Sequence, residues 1–399
     1  MPMLMAYTNL EFDPLYCDYE VDFNSVLDGI IDYKKELHVI ALTGAHDTVK
    51  IHYYANFSIN DKNQFEEAIK PDIRPFLNFS DYEKRLKKSM NKMVKNAQDG
   101  KRLEPYGVVT TISKGYDAPC CAAVFRDFGC NTAVTFSADG KYKEDSGVEV
   151  ARQMGFTNII EVNAEDFKDR TDIVEAQIIS SGDLGSSISS CVFDDIFTHN
   201  IVLSGERGDK IWNKNADRVN SKMNFEDFIS GLGYGEHRLW YDFISVPMPL
   251  FGATAWESID RISNSEEMKP WSVGSSYDRP IPRRIVESCG VSRNAFGIEK
   301  HGAGFTYKFD WLHRIETRMS NSAAVSFRQY VKDNKRIRVG MIVKYFWKMR
   351  SVYLSRLGLK VQCLSSTQMR RISNPMAASY LIPWAGNYMI RKYKDAIEG

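Results

Sequence analysis

The sequence predicts an α/β fold, a doubly wound parallel sheet preceded by a small β-rich domain and followed by a basic helical part. Three observations carry this. A β-branched run, Val108 to Ile112, leads into a polar turn with one glycine and then into the small residues Ala118 to Ala123, which reads as strand, turn and helix. Two more apolar runs, Asn131 to Ser137 and Ile159 to Val162, follow at intervals of about 25 to 30 residues with helical patterns between them, the alternation that builds a right-handed parallel sheet. A second strand leading into a glycine-rich turn, Ile201 to Trp212, repeats the first pattern. Ligands of such sheets bind outside the carboxyl ends of the strands, so the turns that follow the strands are where function is expected.

Taken in order, residues 1–79 hold alternating apolar stretches such as Leu37 to Leu42 and Val49 to Tyr54 with Asp and Asn between them, the pattern of a small β-rich domain. Residues 80–326 form the second domain. From Tyr82 to Ala97 the residues Tyr82, Leu86, Met90, Met93, Val94 and Ala97 fall on one helical face, with Lys84, Lys87, Lys88 and Lys95 largely elsewhere, which predicts an amphipathic helix. After the turn Ser113 to Asp117, Pro119 suits the first helical position, where its missing N–H costs nothing. The strand–turn–helix unit gathers backbone N–H groups and a helix N-terminus at one point, a place for phosphate. Asp145 is expected to open a helix that runs to Met154 and ends at Gly155.

The remaining residues, 327–399, carry 15 Lys/Arg against 3 Asp/Glu, while residues 1–326 carry 37 against 48, so a chain of net charge +1 has a strongly basic end. One amphipathic helix is expected there, with Val339, Ile342, Val343, Phe346, Tyr353 and Leu357 on one face. A helical cap on the second domain, an RNA-binding surface, and an interface with an acidic membrane or partner all fit that composition. Seven cysteines without CxxC spacing point to a reducing compartment and exclude a disulfide framework or a cysteine zinc site. With no signal peptide and no apolar run of about 18 residues, no membrane span and a cytoplasmic location are expected. Cys120 and Cys121 read as small core residues. No HxxxH or HExxH spacing suggests a histidine metal site. Tyr234, Glu236 and His237 are candidates for lining a substrate pocket.

The first turn, Ser113-Lys114-Gly115-Tyr116-Asp117-Ala118, resembles the SGGxDS pyrophosphate loop (PP-loop) of the N-type ATP pyrophosphatases, the superfamily that includes the asparagine synthetase synthetase-domain, β-lactam synthetase and the tRNA thiolases. Ser113, Gly115 and Asp117 match, whereas Lys114 stands for a glycine and Ala118 for the last serine. The second turn resembles LSGEGxDE of asparagine synthetases: Leu203, Ser204, Gly205, Glu206 and Asp209 match, with Arg207 in place of glycine and Lys210 in place of glutamate. The stretch Tyr277 to Thr306 is similar to a third segment of these proteins, and Lys300, before His301-Gly302-Ala303-Gly304-Phe305, best fits their pyrophosphate-facing lysine.

The resemblance covers residues 80 to about 310 and implies an adenine nucleotide alpha hydrolase-like fold, with ATP and Mg²⁺ as cofactors. The implied reaction adenylates a carboxylate or amide oxygen of a small-molecule substrate, releases pyrophosphate and forms a C–N bond with ammonia or an amine. It implies that Ser113, Lys114, Gly115, Tyr116, Asp117, Ser204, Gly205 and Glu206 bind the nucleotide, with Thr135 and Phe136 bordering the adenine. Asp117 and Asp209 would hold Mg²⁺, since Mg²⁺ favours one or two carboxylates plus phosphate oxygens. Lys300 would face the leaving group, and Arg283 and Arg284 are further candidates for holding phosphate or an acidic substrate. The segment that is a glutaminase in asparagine synthetase has Pro2 where the nucleophilic cysteine belongs, and its first cysteine is Cys17. Ammonia, an amine within the substrate or a separate glutaminase subunit is therefore expected as the donor. A tRNA-modifying PP-loop enzyme and a degenerate, non-catalytic nucleotide binder are the alternatives; nucleic acid would bind through residues 327–399.

Overall fold

A computed structural model describes residues 55–69, 73–137, 145–180, 187–214, 234–299, 312–334 and 378–399, with strands at 38–41 and 48–51 and a few single positions. Near the N-terminus stand two separate antiparallel pairs, β1 (His38–Ala41) with β2 (Thr48–Ile51) and β3 (Ala55–Ile59) with β4 (Phe65–Ile69). The first helix, α1 (Phe79–Ala97), starts where the Asn78 side chain accepts a hydrogen bond from the N–H of Asp81 at 2.9 Å, the usual way an asparagine satisfies an orphan donor. Its buried face is Phe79, Tyr82, Leu86, Met90, Val94 and Ala97, as the sequence periodicity requires.

Five parallel strands follow: β5 (Gly107–Thr111), β6 (Thr132–Phe136), β7 (Asn158–Val162), β8 (Asn200–Ser204) and β9 (Ile244–Pro247), in the order β7-β6-β5-β8-β9. The chain moves outward from β5 to β6 and β7, then returns to the other side of β5 for β8 and β9. Order therefore reverses between β5 and β8, and their carboxyl ends flank the crevice where parallel sheets take ligands. β9 was not legible in the sequence: it is four residues long, ends in Pro247 and pairs only with β8, and a strand edge is where a residue without an N–H is tolerated.

Both faces of the sheet are buried. Ala133, Ile201 and Leu203 point to a core shared with α1, α2 (Asp117–Arg126), α8 (Trp256–Ser263) and α9 (Pro280–Ser288), whereas Val109, Val134 and Val202 point to a second cluster with Phe193, Phe197, Tyr234 and Phe243. This alternation explains why the strands read as near-continuous apolar runs. Shorter helices, α3 (Val148–Gln153), α4 (Val174–Ile179), α5 (Asp194–Phe197), α6 (Gly208–Ile211) and α7 (His237–Trp240), fill the connections.

Two expectations need correction. The helix after β6 starts at Val148 and not at Asp145. Ser146 instead forms an isolated bridge with Ser113, and the N–H of Lys114 donates to the Asp145 carbonyl at 3.3 Å; residues that pair with the first turn cannot also be helical. Pro119 is the third residue of α2, not the first, and is tolerated because none of the first four helical N–H groups has an intrahelical acceptor.

The described C-terminal residues, 312–334 and 378–399, are largely helical. α10 (Leu312–Arg318) and α11 (Asn321–Asp333) precede α12 (Ala378–Glu398), which packs on α4 and α11. Trp384 of α12 is buried edge-on against Phe327 at 5.4 Å and donates its indole N–H to Ser326 Oγ at 3.0 Å. The buried Glu175 of α4 accepts from the N–H of Ser320 at 2.6 Å and from its hydroxyl at 3.2 Å, so the cap residue of α11 is held by α4. The helix expected over 339–357 lies outside the described residues. No helix among the described residues is long and apolar enough to cross a membrane. Trp384→Ala is expected to cost about 3–5 kcal/mol in urea unfolding; an unchanged midpoint would separate α12 from the cooperative unit.

Candidate functional site

At the carboxyl ends of β5 and β8 the two turns close on each other. After β5, the Ser113 hydroxyl accepts the N–H of Gly115 at 3.1 Å, a side-chain-closed turn. The Lys114 carbonyl accepts from Gly297 at 2.7 Å. Tyr116 then caps α2, whose first intrahelical bond runs from Cys120 N–H to the Tyr116 carbonyl at 3.1 Å. The N–H groups of the helix's first turn are left for another acceptor. After β8, Gly205 lies flat against the backbone of Asp117 and Ala118, and Gly208 against the Asp117 side chain, so a Cβ on either would collide with them. Arg207, in the position that resembles a glycine, has φ 73°, a left-handed conformation disfavoured for a residue with a Cβ.

Between the turns is a cleft of about 400 Å³, within the size range of small-molecule sites. Ser113, Gly115, Tyr116, Asp117, Thr135, Phe136, Ser204, Gly205, Glu206 and Asp209 all line it. Motifs far apart in sequence thus converge on one space. Ser204 is 9% exposed and its hydroxyl has no hydrogen-bond partner among the described residues; a buried hydroxyl left unpaired costs free energy. The Thr135 hydroxyl accepts from Gly147 N–H at 2.9 Å, and Phe136 lies against Phe193 with centroids 5.4 Å apart.

Other candidates are elsewhere. Lys114 does not line the cleft; Asp145 and Gly297 hold its backbone. The Tyr116 ring points into the core, against Tyr277 and Phe296, and its hydroxyl accepts from Arg283 at 2.6 Å, so Tyr116 faces the cleft without offering it a free hydroxyl. Arg283 is buried on the Tyr116 and Phe296 rings, and Arg284 lies over Phe79 and Trp271 and pairs with Glu267 at 2.8 Å; both are turned to packing and away from the cleft. Tyr234 lines it, but Glu236 and His237 do not. Glu236 accepts from Tyr393 at 3.0 Å, and His237 is fully buried between Gln177 and Asp194, each at 2.7 Å. Lys300 lies outside the described residues. Burial pushes the thiols of Cys120 and Cys121 far above the usual range, which keeps them protonated core groups.

Sequence reading missed Asp145, Ser187, Ser190, Tyr277 and Arg279, all of which line the cleft. Arg279 could have been suspected from Tyr-Asp-Arg-Pro, since proline fixes the residue before it in an extended form. Its guanidinium pairs with Asp117 Oδ2 and stacks over Tyr277 at 5.0 Å. Burial opposes its charge, but Asp117 and Asp209 outweigh burial and raise its pKa. Burial moves the Tyr277 hydroxyl up to about 12 despite Arg279. The described lining therefore carries four carboxylates, Asp117, Asp145, Glu206 and Asp209, against the arginine. A polyanion entering such a space meets net negative charge, and carboxylate oxygens are ligands of the type that hard divalent cations take.

The chain matches no protein-family model and no curated protein. Overpacking sets the expected behaviour of the interlocked turns: Gly205→Ala and Gly208→Ala should each lose about 1–3 kcal/mol. Gly100→Ala, with nothing within 4 Å of the added methyl, should shift stability by less than about 1 kcal/mol. Urea titration of the three variants checks the contrast.

Proposed function

We propose that this chain is an ATP-dependent C–N ligase that forms AMP and pyrophosphate, built on an adenine nucleotide alpha hydrolase-like sheet. One observation carries the proposal: the two turns that resemble the pyrophosphate loop and the LSGEGxDE segment line a single cleft at the point where strand order reverses. In this reading the Ser113 and Ser204 hydroxyls, the backbone at Gly115 and Gly205 and the first N–H groups of α2 hold the phosphates. Thr135 and Phe136, at the end of β6, border the base. Asp117 and Asp209 are the metal ligands, with Glu206 beside them.

Bound there, Mg²⁺ would supply Lewis-acid charge for phosphoryl oxygens. The protein's own part is to orient the triphosphate and to present positive charge where negative charge develops. Lys300 takes that role by resemblance. The substrate is a small molecule with a carboxylate or amide, and the nucleophile is ammonia or an amine. A nucleotide-binding protein without turnover is the second reading, favoured by the Asp117–Arg279 pair and by Ala118 in place of serine.

With ATP, Mg²⁺, a panel of carboxylates and ammonium, the expected products are AMP and pyrophosphate, lost when the metal is chelated. Asp209→Asn should lower that rate by about 100-fold or more with the melting temperature nearly unchanged. ADP and phosphate as products would refute the ligase. Nucleotide binding without any turnover would favour the second reading.

A further inference from the structure

Arg279 is built into the cleft more firmly than a surface arginine could be. It precedes Pro280 at the start of α9, and its neighbour Asp278 is buried, accepting hydrogen bonds from the N–H groups of Val273 at 3.1 Å and Gly274 at 3.0 Å and from the Ser272 hydroxyl. The loop that carries it is thereby pinned. The side chain is 3% exposed. One Nη is used by Asp117, while Nε has no hydrogen-bond partner among the described residues. A guanidinium has five donors in a planar fork, and a buried unmet donor is costly. Phosphate, like carboxylate, matches that fork two bonds at a time.

Resting on the nucleotide reading above, we propose that Arg279 is the phosphate-contacting cation of this cleft, held on Asp117 until a nucleotide and a divalent cation arrive together. A guanidinium and a metal ion held on the same Asp117 carboxylate repel each other at that range. A divalent ion alone therefore competes with Arg279 for Asp117. A phosphate chain alone meets four carboxylates. When both bind, the arginine moves from carboxylate to phosphate, the metal takes the carboxylate, and each removes the other's cost. This is positive coupling between two ligands carried by one ion pair.

The probes are Mn²⁺, followed by its electron paramagnetic resonance signal, and inorganic pyrophosphate, followed by calorimetry, with the full chain. In the wild type, each should tighten the other about 5- to 150-fold. Arg279→Gln should bind Mn²⁺ alone more tightly than the wild type does, because its competitor is gone, and should bind pyrophosphate with Mn²⁺ about tenfold more weakly. The two shifts have opposite signs, which a merely structural ion pair would not produce. If that variant does not fold, Arg279→Lys keeps the charge for Asp117 but lacks the fork, and should still weaken pyrophosphate binding severalfold.

A wild type that binds both probes, with pyrophosphate affinity unchanged in the variant, overturns this inference alone. So does a variant whose Mn²⁺ affinity falls or stays the same. A wild type that binds neither pyrophosphate nor ATP overturns the nucleotide reading and this inference with it.

Discussion

The contact on which the site depends is the one between Asp117 and the two glycines of the second turn. Gly205 and Gly208 leave no room for a Cβ beside Asp117, so the turn after β8 can close only on a backbone without side chains. The same contact brings the start of α2 and the Ser204 hydroxyl to one cleft. Backbone packing, and not a hydrogen bond between side chains, aligns the groups. Such packing is stiff, because close-packed interiors transmit a displacement without absorbing it. Asp117 is therefore positioned before any ligand is present, as preorganised sites require.

Around that contact the protein spends charge in pairs. Arg279 meets Asp117, and Arg283 ties the Tyr116 hydroxyl to the Gly297 carbonyl. The first turn of α9 thus braces the first turn of the cleft from behind with Arg283, and the residue before the helix, Arg279, enters the cleft. On the opposite face, Arg170 bridges Asp172 and Asp194, and Asp194 also holds His237. Lys392 of α12 lies over the Trp240 ring at 3.8 Å, so the basic C-terminal helix is fastened beside this network through cation–π contact and burial. Arg170 and Arg279 thus each have a carboxylate partner, which offsets part of the cost of desolvating a buried ion.

In the proposed reading the acidic cleft and Arg279 divide the labour: the carboxylates would hold a cation and the arginine would meet phosphate. Without the arginine, four carboxylates in so small a space would repel one another and any polyanion. Without the carboxylates, the arginine would be a buried ion with no counter-charge.

The sequence by itself determined four of the five parallel strands, β5 to β8, the two turns that follow β5 and β8 and most of the buried face of α1. These are local: β-branched runs, glycines at tight turns and a periodicity near 3.6 residues each impose their own geometry. It also supplied part of the cleft, since Ser113, Gly115, Asp117, Ser204, Gly205, Glu206 and Asp209 sit at strand ends by position alone. Only the tertiary structure decided which arginine enters the site. Arg279, Arg283 and Arg284 are close together in one basic stretch, and the local signal at Pro280 marks Arg279 as extended without saying what it faces. Pro280 starts a helix that turns Arg283 and Arg284 toward Tyr116, Phe79 and Trp271. The residue before the helix is left facing Asp117. The start of α3 was hidden for the same reason: Asp145 to Gly147 pair with a turn more than thirty residues upstream, and a contact made across the sheet leaves no periodic trace in the chain that makes it.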